Sequence, residues 1–230
     1  MNIDLVKYLS NRMQDDYGQK KDPGPVITIA REYGCAAKYI ARQLSEDITR
    51  KMKVKGIDSS WRYINKEILA ESARELELDP AKIRYVFQYE QKGLIDEVLS
   101  AQLNKYYKSD RKIRNTIAMV IRNIACEGNV VIIGRGGVSI VHDIPRSLHV
   151  MLEAPLEWRA LRISEKYSIS QEEARKECIE TDKKRQQFRD YFEGKNTDYT
   201  RYDITLNCMT LSIDEIVKII IKAAEVKKLI

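Results

Sequence analysis

Three short apolar runs constrain this chain most: Val26-Ile27-Thr28-Ile29-Ala30, Val130-Val131-Ile132-Ile133 and Leu148-His149-Val150-Met151-Leu152. None alternates apolar with polar residues, so each reads as a strand covered on both faces. Each leads into a turn and then a helix-type stretch, the pattern of a parallel sheet with helices on both sides. A weaker strand is expected near Trp61-Arg62-Tyr63-Ile64 and a last one at Ile204-Thr205-Leu206-Asn207, giving about five in all. Ligands of such sheets bind beyond the carboxyl ends of the strands. That rule singles out the loops at 31–37, 134–137 and 153–155.

The rest of the chain reads as helix and punctuation. Residues 1–24 form a mobile or helical lead-in, ending in the turn formers Asp22-Pro23-Gly24-Pro25. A helix is expected from Lys38 to Arg50, with Ile40, Ala41 and Leu44 on its apolar face. The section 65–127 reads as almost wholly helical, broken at Asp79-Pro80, Gly93 and Ser109-Asp110 and ended by Gly128-Asn129. Pro155 starts another helix. Ser170-Gln171-Glu172-Glu173 and Ser212-Ile213-Asp214-Glu215 both fit the capping box, and Gly194 breaks the first of the helices they open. Residues 25–230 are read as a single domain.

Composition narrows the class. No run approaches the roughly 18 apolar residues needed to span a bilayer, and the start lacks the apolar core of a signal peptide, so a cytoplasmic protein without a membrane partner is expected. Cys35, Cys126, Cys178 and Cys208 are widely spaced and near no histidine at ligand spacing, which argues against a zinc site or a disulfide framework. The net charge of +6 favours anionic partners. Acidic and basic residues alternate without a compact basic block, so nucleic acid is not the expected partner.

The first loop, Arg31-Glu32-Tyr33-Gly34-Cys35-Ala36-Ala37, has the strand–loop–helix setting of a phosphate loop but only one glycine. Aligned on its strand and helix, Ala37 stands where the usual lysine sits and Lys38 where Ser or Thr sits. The helix N-terminus still offers backbone donors and a positive dipole end. An ordinary turn in a doubly wound sheet is the alternative.

The order of several segments resembles the cytidylate-kinase-like family. They are Ile27-Thr28-Ile29-Ala30-Arg31-Glu32-Tyr33-Gly34, Trp61 through Leu69, Val131-Ile132-Ile133-Gly134-Arg135-Gly136, Ala154-Pro155-Leu156-Glu157-Trp158-Arg159, Thr181-Asp182-Lys183-Lys184-Arg185, and Tyr202 through Glu215. The resemblance runs from about residue 26 to the end. It implies a three-layer P-loop kinase-type α/β fold with a helical lid at about 156–195 and a helical acceptor-side region at about 65–127. It also implies ATP-dependent phosphoryl transfer, with Mg2+, to a nucleoside monophosphate such as CMP or dCMP.

Carried residue by residue, the resemblance implies that Arg31, Gly34, Cys35, Ala36, Ala37 and Lys38 line the donor site and that Asn65, Arg135 and Asp182 meet the acceptor. Lys38, Arg159, Arg185 and Arg189 become the catalytic cations. Asp182, Arg185 and Arg189 share one helix face by spacing alone, and a solvated charged face is the alternative. Glu32 either orients magnesium-bound water or pairs with a base, and Cys35 is either a small turn residue or an activated thiol. Gly136 and Asn65 stand where relatives carry aspartate, and Ala36 and Ala37 replace two loop glycines. These departures leave open a non-catalytic nucleotide-binding or scaffold role, or a kinase for another phosphate acceptor. Section 80–127 covers the acceptor or forms a homodimer face through Tyr106 and Tyr107.

Overall fold

The computed structural model describes residues 23–65, 67–77, 110–193 and 201–230. The lead-in before residue 23, the breaks at Asp79-Pro80 and Gly93, the Tyr106-Tyr107 surface and the Gly194 break lie outside them. The described strands are β1 (Val26–Arg31), β2 (Arg62–Ile64), β3 (Val130–Ile133), β4 (Ser147–Glu153) and β5 (Ile204–Asn207). All pairings are parallel and the order is β2-β3-β1-β4-β5. The helices are α1 (Ala37–Val54), α2 (Glu67–Glu75), α3 (Asp110–Glu127), α4 (Gly137–Val141), α5 (Leu156–Tyr167), α6 (Gln171–Glu193) and α7 (Ile213–Val226). The expected α/β fold, five parallel strands with helices on both faces, is the fold observed.

The alternation of side chains along each strand divides the core in two. Ile27 and Ile29 of β1, with Val131 and Ile133 of β3 and Leu148 and Val150 of β4, pack against α1 and α7. Val130 and Ile132 face the other way, onto α2, α3 and α4, where Ile68, Ile113, Ile117, Ile121 and Phe188 complete a second cluster. A fully buried side chain of this size contributes about 1.5–3 kcal/mol. Burial on both sides explains why these runs could dispense with polar alternation.

One polar row crosses this otherwise apolar layer. On the α4 side of the sheet, Thr28 Oγ1 lies 2.8 Å from His149 Nδ1 and Ser147 Oγ lies 3.0 Å from His149 Nε2. Burial holds the imidazole down at a pKa of about 4, so it is neutral at pH 7 and both its nitrogens are satisfied.

Both capping boxes form. The Glu173 N–H donates to Ser170 Oγ, and the Ser170 N–H donates to Glu173 Oε2. Ser212 and Glu215 do the same at α7. Helix α5 then packs on α6 through Ala160, Ile163, Ala174 and Cys178, with Tyr33 of the β1–α1 turn against this small cluster. Among the described residues no helix is long and apolar enough to cross a membrane.

Candidate phosphate-binding site

The parallel sheet brings the turns after β1, β3 and β4 to one edge. In the first of these turns, Gly34 has φ +95°, and a Cβ there would come within 2.9 Å of Arg159 Cβ. Glycine is thus required both for conformation and for space. Ala36 has φ −79°, so the alanine that replaces a family glycine there costs no left-handed strain.

The turn engages its own donors. The Tyr33 N–H donates to Asp182 Oδ1 at 2.7 Å. The Cys35 N–H reaches Glu32 O, and the Ala37 N–H reaches Cys35 O. A glycine-rich phosphate loop leaves such groups for the ligand. Helix α1 starts with no acidic residue in its first turn, which leaves its positive end unneutralised. Lys38 is exposed beside it.

Behind the turn sits Arg159. Its side chain is 6% exposed, lies 3.2 Å from Glu32 Oε2 and donates at 2.7 Å to Asp182 Oδ2. Nε also donates to Ala154 O, and Nη1 to Tyr33 O. Glu32 Oε2 in turn accepts the Ala154 N–H. Glu32 is therefore paired with a base, and Arg159 and Asp182, expected at the ligand, are bound to each other beneath the turn. Tyr33 Oη donates to Glu177 Oε1 at 2.8 Å, and burial, then Glu177, raises the phenol's pKa.

Cys35 is no activated thiol. Its hydrogen bond with Cys208, then burial, pushes it above the ordinary thiol range, while the same bond lowers Cys208. It serves as a small turn residue that packs, with Cys208, against the core shared by α1 and α7.

Beyond β3, three consecutive residues are left-handed: Gly134 at φ +64°, Arg135 at +59° and Gly136 at +67°. A left-handed arginine costs roughly 1–2 kcal/mol, and such strain concentrates at functional turns. Gly134 lies under the Arg31 guanidinium. Around this turn Arg31, Arg135, Arg185 and Arg189 line a cavity of about 20 Å³, and no carboxylate lines it among the described residues. The Nε atoms of Arg185 and Arg189 are buried with no hydrogen-bond partner among the described residues. Unpaired buried donors of a cation are costly unless an anion completes them.

Arg31 and Arg185 also border a cleft of about 650 Å³ that holds the 31–38 turn, Asn65, Arg162 and Lys166. Asn65 Oδ1 is buried and unpartnered among the described residues. The structure thus brings Arg31, Gly34, Cys35, Ala36, Ala37, Lys38, Asn65 and Arg185 to one cleft, and Arg31, Arg135, Arg185 and Arg189 to one adjoining cavity. It leaves Arg159 and Asp182 behind both. Among the described residues, no group of three or more His, Cys, Asp or Glu is arranged to hold a metal.

Sequence reasoning missed Arg114. Its residue is 8% exposed, its guanidinium lies 5.6 Å from the Phe188 ring centre and 4.8 Å from that of Tyr191, and it pairs with no carboxylate among the described residues. The signal was present: Arg114 is spaced three and seven residues from Ile117 and Ile121, inside the apolar stripe of α3. A charge in such a stripe is worth explaining.

A cytidylate kinase of Methanocaldococcus jannaschii is 26% identical over 127 residues, covering 54% of this chain and 71% of that protein. A solved structure of an uncharacterized protein from Eubacterium ventriosum superposes with a TM-score of 0.61 at 20% identity, covering 89% of this chain and 99% of that one, a likeness of fold. Residues 26–210 match the cytidylate kinase-like family, and the chain belongs to it.

Proposed function

We propose that this protein transfers the terminal phosphoryl group of ATP, bound with Mg2+, to a nucleoside monophosphate, with CMP and dCMP the first acceptors to test. The carrying observation is the convergence of Arg31, Arg135, Arg185 and Arg189 on a cavity that no described carboxylate lines. Phosphoryl transfer needs charge held in position more than it needs a reactive side chain.

In this reading Arg135 and Arg189 grip the acceptor phosphate. Arg31 and Arg185, which border both cavity and cleft, meet the phosphoryl group as it passes between them. The attacking atom is a phosphate oxygen that is largely ionised near neutral pH, so no general base is required. Lys38 and the start of α1 take the donor phosphates, with Arg162 and Lys166 along the cleft. Gly34, Cys35, Ala36 and Ala37 form its floor. Asn65, whose Oδ1 is unpartnered among the described residues, and Arg114, which no described carboxylate balances, are assigned to the acceptor's base or sugar. Arg159 is assigned a positioning role beneath the turn.

Magnesium bound with ATP supplies charge neutralisation on the phosphates. Both contacts of Glu32 use Oε2, so its other oxygen fits a role toward metal-bound water. Section 65–127 is the acceptor-side region, residues 156–195 the helical lid that brings arginines to both phosphates, and residues 25–230 one domain.

A second reading, a nucleotide-binding regulatory protein, draws on the engaged N–H groups of the turn and on Ala37 in place of the loop lysine. A panel of nucleoside monophosphates, with ADP release followed in the presence of ATP and Mg2+, separates the two. Acceptor-dependent ADP release is expected. ATP binding with no turnover on any acceptor would favour the second reading, and turnover with an unexpected acceptor would name a different kinase.

A further inference from the structure

Asp182 holds three groups at once. Oδ1 accepts the Tyr33 N–H at 2.7 Å, Oδ2 accepts Arg159 Nη1 at 2.7 Å, and Arg185 Nη1 lies 3.4 Å from Oδ1. The same Arg185 nitrogen donates to Arg31 O at 3.1 Å, and the guanidinium covers the Tyr33 ring at 5.5 Å. One edge of Arg185 is therefore fixed to the turn after β1. A guanidinium is planar and rigid, so fixing Nη1 and the plane also fixes where the other donors point. Its Nε is the buried atom that has no partner among the described residues.

The charges around this point are balanced. Arg159 lies between Glu32 and Asp182, and Asp182 also meets Arg185, so two carboxylates face two guanidiniums. Glu32 alone suffices to neutralise Arg159. Asp182 then neutralises Arg185, a cation that lines the arginine cavity, and so reduces the attraction that the cavity offers an incoming anion. Geometry and charge therefore make opposite predictions for its removal.

We propose that Asp182 is a positioning residue: it ties α6 to the β1–α1 turn and fixes the guanidinium of Arg185 where that residue lines the arginine cavity and meets the anion it receives. Geometry outweighs that neutralising charge. The inference rests on the reading of that cavity as a phosphate site, and it removes Asp182 from direct contact with substrate. It also makes the helical pair α5–α6 a wall fastened to the turn, because the backbone of Arg31 and Tyr33 is bonded by side chains from those two helices.

Titration of the folded protein with inorganic pyrophosphate tests this without turnover, with circular dichroism and a melting curve showing that each variant is folded. Asp182→Ala is expected to weaken pyrophosphate binding at least ten-fold per folded molecule. Asp182→Asn keeps an acceptor for the Tyr33 N–H and is expected to stay within about three-fold of the parent. Arg135→Ala is expected to abolish binding and so locates the probe.

Tighter binding in both Asp182 variants would show that the carboxylate is a mere competitor, and would overturn the proposal. So would binding unchanged by Asp182→Ala, equal weakening in both variants, or no pyrophosphate binding by the parent protein. A variant that only melts earlier while its folded fraction binds normally would mark a purely structural role and likewise overturn it. Loss of turnover on every acceptor, with pyrophosphate binding still dependent on Asp182, would sink the kinase reading and leave this one standing.

Discussion

The guanidinium of Arg31 lies directly over Gly134, so closely that a Cβ at Gly134 would fall 1.5 Å from Arg31 Nη1. The ends of β1 and β3 are thereby joined at the cavity, and Gly134 also holds φ +64°. Gly134→Ala must both strain the turn and displace the arginine. The expected outcome is an acceptor KM raised at least ten-fold, measured in the coupled ADP assay, in a protein that still folds.

Arg159 supports the same edge from below. Replacing it by methionine keeps volume but leaves Glu32 and Asp182 facing each other without their shared cation. Breaking a buried pair from one side costs about 3–5 kcal/mol. Urea unfolding followed by circular dichroism should show a loss of that order, and a loss below about 1 kcal/mol would mean that the buried network contributes little.

His149 makes stability depend on acid. Its folded pKa of about 4 lies below the ordinary value of 6.5, with burial as the cause. Its contribution is therefore full above pH 6.5 and is lost as pH falls toward 4, where only the unfolded chain takes up the proton. The span corresponds to about 3 kcal/mol as an upper bound. Urea midpoints measured from pH 7 to pH 4.5 should fall, and His149→Gln should flatten the part of the slope that lies above the carboxylate range.

Arg114 is the residue to test for acceptor recognition. Arg114→Met preserves contact with Phe188 and Tyr191 while removing the charge that no described carboxylate balances. The expectation is an acceptor KM raised about ten-fold, the loss of one hydrogen bond to a charged group, with the KM for ATP unchanged. An effect confined to stability would make Arg114 a packing residue alone.

The sequence carried these features unequally. Strands β1, β3 and β4 were legible because burial on both faces removes polar alternation, and α6 and α7 because Ser170 and Ser212 write their capping boxes into four residues each. The turn that carries Arg135 was legible from its flanking glycines. The Arg159–Asp182 pair was not, since it joins residues 23 apart on two helices, and no local pattern distinguishes a buried arginine from a solvated one. The spacing of Asp182, Arg185 and Arg189 put them on one face, yet it could not tell that Asp182 turns to the Tyr33 N–H while the two arginines reach the cavity. Whether Ala36 could replace a loop glycine without strain depended on its φ, which no sequence pattern carries and which is −79°.

In the proposed reaction the arginine cavity holds the acceptor's phosphate. Its most direct test is kcat/KM for the best nucleoside monophosphate, compared between the parent protein and Arg135→Ala, with ATP saturating and Mg2+ present. A fall of at least a hundred-fold, carried by the acceptor and not by ATP, is the expected result. An Arg135→Ala protein that is folded and turns over the acceptor at the parental rate would contradict the claim.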